Sequence, residues 1–225
     1  MSAHTHLVAI SFLEYLSRRR DSLLQETVDH AVLVLTAMAI ATVVGVALGV
    51  ATYRSSRASS VTLNVCGVFL TIPSLALFAM LFTIPTLGLG FRAGVVGLVL
   101  YALLPIVRNT VVGLRAVDPA IVESAQGMGM SRWQRLRRIE LPLAWPIIVT
   151  GVRVSTVMIV GIAAIAAVIN APGLGKDIFR GLARLGSPAA LNLVLSGVLG
   201  IVVLSLLFDS VFVLIRRFTT SRGIR

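Results

Sequence analysis

Few residues of this chain could carry chemistry, and most stand in spacings that exclude it. Gly175-Lys176 is the sole Gly-Lys pair. A phosphate-cradling loop needs a second glycine five residues earlier and Ser or Thr after the lysine. Asn170 and Asp177 stand at those places. His4 and His6 lie two apart near the N-terminus, where a frayed segment is expected rather than a metal site. Cys66 is alone, so neither an internal disulfide nor a thiolate cluster can form. No H-E-x-x-H occurs, and no carboxylates cluster in an apolar run. Asp209 is the one acid near such a run, four residues from Val213 and close to a basic tail, where a local charge partner is expected. Phe69, Phe78, Phe82 and Tyr101 could face a quaternary ammonium through cation–π contact, although aromatics in apolar segments more often pack.

One polar stretch is organised differently. Asp118 is a good N-cap and Pro119 suits the first helical position. Ile121, Ala125 and Met128 then share a face at i, i+4 and i+7. Gly127 and Gly129 permit a stop and a turn. Ser131 with Gln134 forms a capping box that starts a second short helix, lined by Trp133, Leu136 and Ile139. The spacing predicts a compact helix-turn-helix element with an apolar ridge and a basic flank.

The elements that must hold this stretch are apolar. The 225 residues are 57% hydrophobic and 13% charged, with a mean hydropathy of +0.96. A water-soluble domain carries about 25% charged residues, so a membrane class is indicated. A spanning helix takes about 20 apolar residues. Spans are read over Ala31–Val50, about 61–83 with a bend at Pro73, about 93–114, about 143–169 entered through Pro142 and Pro146, and about 189–215. Gly45-x-x-x-Gly49, with Ala41 a turn earlier, forms a small-residue packing stripe. Arg108 in the third span is expected to snorkel to the near interface. Residues 170–188 read as a loop.

The formal net charge is +11. Groove recognition of nucleic acid needs a solvated basic face, which this composition excludes, so the arginines are read as topogenic. Arg54, Arg57, Arg115, Arg132, Arg135, Arg137, Arg138 and four tail arginines fall on one side. Arg92, Lys176, Arg180 and Arg184 fall on the other, with Arg18, Arg19 and Arg20 placed there as well. The positive-inside rule makes the first side cytoplasmic. Residues 1–30 carry too many charges to span and read as an interfacial segment without the marks of a signal peptide. Residues 31–217 form the membrane domain, 115–141 its cytoplasmic connection and 218–225 a tail.

The connection between the third and fourth spans also carries a known pattern. Glu123, Ala125, Gly129, Ile139, Leu141 and Pro142 stand at the spacing of the EAA signature, with Ser124 in place of its middle alanine. The chain therefore resembles the permeases of bacterial ATP-binding-cassette (ABC) importers. Ile72-Pro73-Ser74-Leu75-Ala76, Tyr101 to Thr110, Gly127 to Met130 and Glu140 to Pro146 are similar to the osmoprotectant group, the permeases for glycine betaine, choline and carnitine. Leu174-Gly175 and Ile178 to Leu182 fit as well. Where that group usually has a Gly-Ala-Gly/Ser-x-Leu-Gly loop, this chain has Asn170 to Gly175.

The resemblance implies an all-α, five-span bundle of the type I ABC importer permease kind in the bacterial inner membrane. It implies a second permease subunit, identical or not, two ATPase subunits that bind ATP and Mg, and an external solute-binding protein. Glu123, Ser124, Ala125, Gly129, Ile139, Leu141 and Pro142 would form the ATPase-coupling loop. Phe69, Phe78 and Tyr101 are candidates for the solute path. Permeation of another small solute, such as an amino acid, is the nearest alternative. An intramembrane lipid-modifying enzyme would need paired acids or a His cluster, and a secondary transporter would show an internal repeat or an intramembrane acid pair; neither pattern is present.

Overall fold

A computed structural model describes residues 11–219. Among them all regular structure is helical. The helices are α1 (Phe12–Arg18), α2 (Arg20–Thr52), α3 (Ser56–Thr71), α4 (Ser74–Phe82), α5 (Phe91–Arg115), α6 (Pro119–Gly127), α7 (Arg132–Arg135), α8 (Leu141–Ile165), α9 (Gly175–Leu182) and α10 (Ala190–Thr219). A π-helical turn, Leu136–Glu140, joins α7 to α8, and a 3-10 turn, Ala166–Ile169, follows α8. Four helical stretches are long and apolar enough to cross a membrane: Arg20–Thr52, Phe91–Arg115, Arg132–Ile169 and Ala190–Ile215. The broken pair α3 and α4 meets the same test jointly, which gives a fifth.

The differences from the sequence reading have local causes. The helix that carries the apolar run Ala31–Val50 begins at Arg20. A helix of 33 residues is about 50 Å long, against a hydrocarbon layer of about 30 Å, so its charged first turns need not lie in lipid. The second span is two helices rather than one bent helix. Pro73 has no N–H and disfavours the α conformation in the residue before it, and Ile72 adopts φ −74° and ψ 126°. Its carbonyl accepts from the Tyr101 hydroxyl at 2.7 Å. The loop 170–188 contains α9. His4 and His6 lie outside the described residues.

The chain divides into two compact units, and the long helices contribute to both. The first comprises the chain up to Leu35, Ser74–Gly97 and Val160–Leu206. Here α9 is tied to the N-terminal segment by charge. Asp177 is fully buried and takes Arg19 at 2.7 Å and Arg180 at 3.2 Å, and Arg180 also reaches Glu26 at 3.1 Å. Burial alone would lower the Arg19 pKa, but its bonds to Tyr15 and Asp177 prevail and raise it. Arg19 therefore lies beside Asp177 of the 170–188 segment.

The second unit comprises Thr36–Pro73, Leu98–Ile159 and the chain from Leu207. Its core contains Cys66, Leu103, Val107, Val111, Leu114, Leu136, Ala144 and Ile148. The small-residue stripe of α2 meets α5 here. A Cβ on Gly45 would lie 2.7 Å from Ile106, and one on Gly49 would lie 2.5 Å from Thr110. Ala41 is fully buried. Asp209 of α10 has a charge partner that is not in the basic tail. Arg153 of α8 holds it with two bonds, at 2.6 and 2.8 Å. An unpaired charge in a span is costly, and the 56 residues between the two hid the pairing from local reading.

Candidate functional site

The polar connection builds as its spacing predicts up to its second helix. The Asp118 side chain accepts from the Ala120 amide at 2.8 Å and caps α6. Ser124 bonds back to the Ala120 carbonyl at 2.7 Å. The helix ends in a Schellman arrangement: Met130 N–H donates to the Ala125 carbonyl at 3.2 Å and Gly129 N–H to the Gln126 carbonyl at 2.9 Å. Gly129 takes φ +80°, a region open to glycine and strained for a side chain with a Cβ. The Ser131–Gln134 capping box is complete, with bonds of 3.3 and 2.8 Å.

The second helix is not a separate element. From Arg132 it runs through the π turn into α8 without a break, so Pro142 and Pro146 lie inside a continuous helical stretch. Within it Leu136 is buried, Ile139 and Leu141 are half-buried, and Trp133 and Pro142 are exposed. In α6 the shared face also divides. Ala125 is fully buried, whereas Ile121 and Met128 are 43% and 70% exposed. Glu123 is exposed beside them. Buried Ala125 fixes the helix from beneath and leaves Ile121 and Met128 as outward apolar knobs. Arg135 secures α7 to α6 through Gln126, at 3.0 Å.

Beneath α6 lies a cleft of about 490 Å³ lined by Glu123, Arg132, Arg135, Tyr53, Arg54 and Glu140 among others. Glu140, the variable position of Ile-x-Leu-Pro, is only 3% exposed. It accepts from the Tyr53 hydroxyl and pairs with Arg54 at 3.2 Å. Arg54 also donates to the Tyr53 oxygen at 2.6 Å. Burial pushes the Tyr53 phenol up, and the bond to Glu140 adds to it, so the group stays a protonated donor. At Arg54 burial acts downward, but Tyr53 and the charge of Glu140 prevail and raise it. Tyr53 did not figure in the sequence reading, and Glu140 figured only as the first residue of a family-like stretch, with no role of its own. The signal that could have shown Glu140 is its period: it lies four residues after Leu136, on the inward face of an otherwise basic turn.

The aromatic candidates are placed otherwise. Phe78 is fully buried and packs where a Cβ on Gly97 would stand. Tyr101 is buried with its hydroxyl committed to Ile72. Phe69 is half-buried and Phe82 exposed. Phe78 and Tyr101 thus serve packing and present no open ring face. Arg108 is exposed.

A chain of long apolar helices carrying a rigidly capped, outward-facing short helix between two of them is a multi-pass membrane transport subunit. It belongs to the family of binding-protein-dependent transport system inner membrane components, whose model matches residues 41–221. A relative from Bacillus subtilis, the glycine betaine/carnitine/choline transport system permease protein OpuCB, is 35% identical over 95% of each chain. The osmoprotectant import permease protein OsmW of Salmonella typhimurium is 37% identical over 95% of this chain and 99% of its own. The fold is shared with the inward-facing MetNI methionine ABC transporter, at a TM-score of 0.77 and 21% identity, over 88% of this chain and 96% of the other. The chain is an inner-membrane permease subunit of an importer and not an enzyme.

Proposed function

We propose that the chain forms the membrane path for a small quaternary-ammonium osmoprotectant of the glycine betaine, choline or carnitine kind. Two permease subunits line the path, and an external binding protein delivers solute. Two ATPase subunits bind ATP and Mg on the cytoplasmic side. Residues 115–141 and the C-terminus are cytoplasmic, and α6 is the coupling helix that docks on the ATPase. The observation that carries the docking role is the division of α6, with Ala125 buried beneath it and Ile121 and Met128 projecting. A helix closed at both ends by side-chain and backbone caps can transmit displacement, whereas a floppy loop would absorb it. ATP then drives transport through the ATPase's differential affinity for two states of the permease.

The burial of Phe78 and the committed hydroxyl of Tyr101 support a division of labour in which the binding protein sets most of the solute specificity. Uptake of labelled glycine betaine, choline, carnitine and amino acids in a transport-deficient strain tests the substrate. Accumulation of amino acids alone would replace the osmoprotectant assignment. Glu123→Arg should lower co-purification of the ATPase and uptake together. Unchanged values for both would remove α6 from the interface.

A further inference from the structure

Resting on the coupling role of α6, we propose that Tyr53 is the positioning residue through which the coupling element drives the corner between α2 and α3. The two stalks of that element reach the same residue by different atoms. The stalk before α6 ends α5 at Arg115, whose Nε donates to the Tyr53 carbonyl at 2.7 Å. Its Nη2 donates to the hydroxyl oxygen of buried Ser59, in the first turn of α3, at 2.8 Å. The stalk after α6 carries Glu140, which accepts from the Tyr53 hydroxyl. Arg54, 5.2 Å above the Tyr53 ring, closes the group by bonding both Tyr53 and Glu140.

The π turn makes the second arm. Its wider helical turn rotates everything after it relative to a regular α-helix. Glu140 faces inward there while Arg137 and Arg138 are exposed. Tyr53 sits one residue past the end of α2 and three before α3, so both helix ends are attached to it. A push on α6 that moved one stalk alone would have to break a bond to Tyr53. Movement of both stalks together carries Tyr53, and with it the ends of α2 and α3. Buried, charge-assisted bonds suit this task because they are expensive to leave unmade.

The test uses the full importer in proteoliposomes, with uptake of labelled glycine betaine, choline and carnitine measured beside ATP hydrolysis. Tyr53→Phe removes the arm to Glu140 together with the Arg54 bond to the same hydroxyl, and keeps the Arg115 bond to the Tyr53 carbonyl. Expected is a complex with normal subunit content and normal hydrolysis, but with solute moved per ATP reduced about tenfold, the scale on which one hydrogen bond to a charged group biases a two-state equilibrium. Glu140→Leu severs the same arm without stranding a buried charge and should give the same loss, with the double variant no worse than either. A purely structural role would lower assembly and hydrolysis together. Wild-type solute per ATP in either variant overturns the proposal, and Glu140→Leu decides if Tyr53→Phe fails to accumulate. A crosslink from Ser131→Cys to the ATPase separates the two readings. With the crosslink present and coupling intact, only the role of Tyr53 falls; without it, the docking of α6 falls.

Discussion

Gly127 and Gly129 stand two apart at the end of α6, and a Cβ at either would meet nothing within 4 Å. Space therefore cannot distinguish them, and only the backbone does. Gly129 has φ +80°, whereas Gly127 is the last residue of the helix and is not among the positive-φ positions. Valine at position 129 must hold a conformation that costs roughly 1–3 kcal/mol for a non-glycine residue, or else release the two bonds of the Schellman closure. At about tenfold per 1.4 kcal/mol, the native turn falls by one to two orders of magnitude relative to alternatives in which Ile121 and Met128 are displaced. Alanine at position 127 instead gains roughly 0.5–1 kcal/mol of helix preference. Membrane insertion should be unaffected in both variants. Gly129→Val should abolish uptake and weaken retention of the ATPase on purification, and Gly127→Ala should change neither. Wild-type uptake in inserted Gly129→Val, with the ATPase retained, would refute the reasoning, as would equal loss in both variants.

Three further outcomes are expected. Cysteines at Ser131 and Ser187, both exposed, should label from the cytoplasmic and external sides respectively, against low background from buried Cys66; labelling of position 131 from outside would reverse the topology. Asp209→Asn should lower the melting temperature of the permease in detergent, because Arg153 holds the carboxylate with two bonds, and the exchange Arg153→Asp with Asp209→Arg should restore part of it. Thermal unfolding measures both; equal melting of Asp209→Asn and wild type would remove the pair from the stabilising contacts. Gly49→Val should cost roughly 1–3 kcal/mol by driving its side chain into Thr110, read as reduced accumulation in the membrane, whereas half-buried Gly67, with no atom within 4 Å of its Cβ, should accept alanine.

The α6 closure and its caps were legible because each depends on residues within six positions of one another. The same locality made the Gly45 and Gly49 stripe readable as packing, although not its partner, α5. What could not be read depends on separation or on continuity. Arg153 and Asp209 find each other across two helices, and neither residue's neighbours announce the other. Arg19 and Asp177 are 158 apart. The apolar run did not show that one helix continues from Arg20 through Glu26 and Asp29 into the span, because hydrogen bonding along the backbone is indifferent to where lipid stops. Pro142 reads as a break in sequence, yet a π turn immediately before it lets the helix continue. Glu140 was passed over because a carboxylate among arginines looks like a solvated face.

The last helix divides along its length. Ala190, Asn192, Leu193, Ser196 and Gly197 are buried, whereas from Val198 to Ile215 only Leu204 is. Interior positions must fit a shape, and Asp209 must meet Arg153, but the exposed apolar positions among the later ones need only be greasy. Exchanging Leu, Ile and Val at those exposed positions opens no hole in the chain, so that face can vary in sequence without altering the fold. Its tolerance becomes a measuring device: any outward-facing position between Val198 and Ile215 that refuses such an exchange in the assembled importer must be touching something other than lipid.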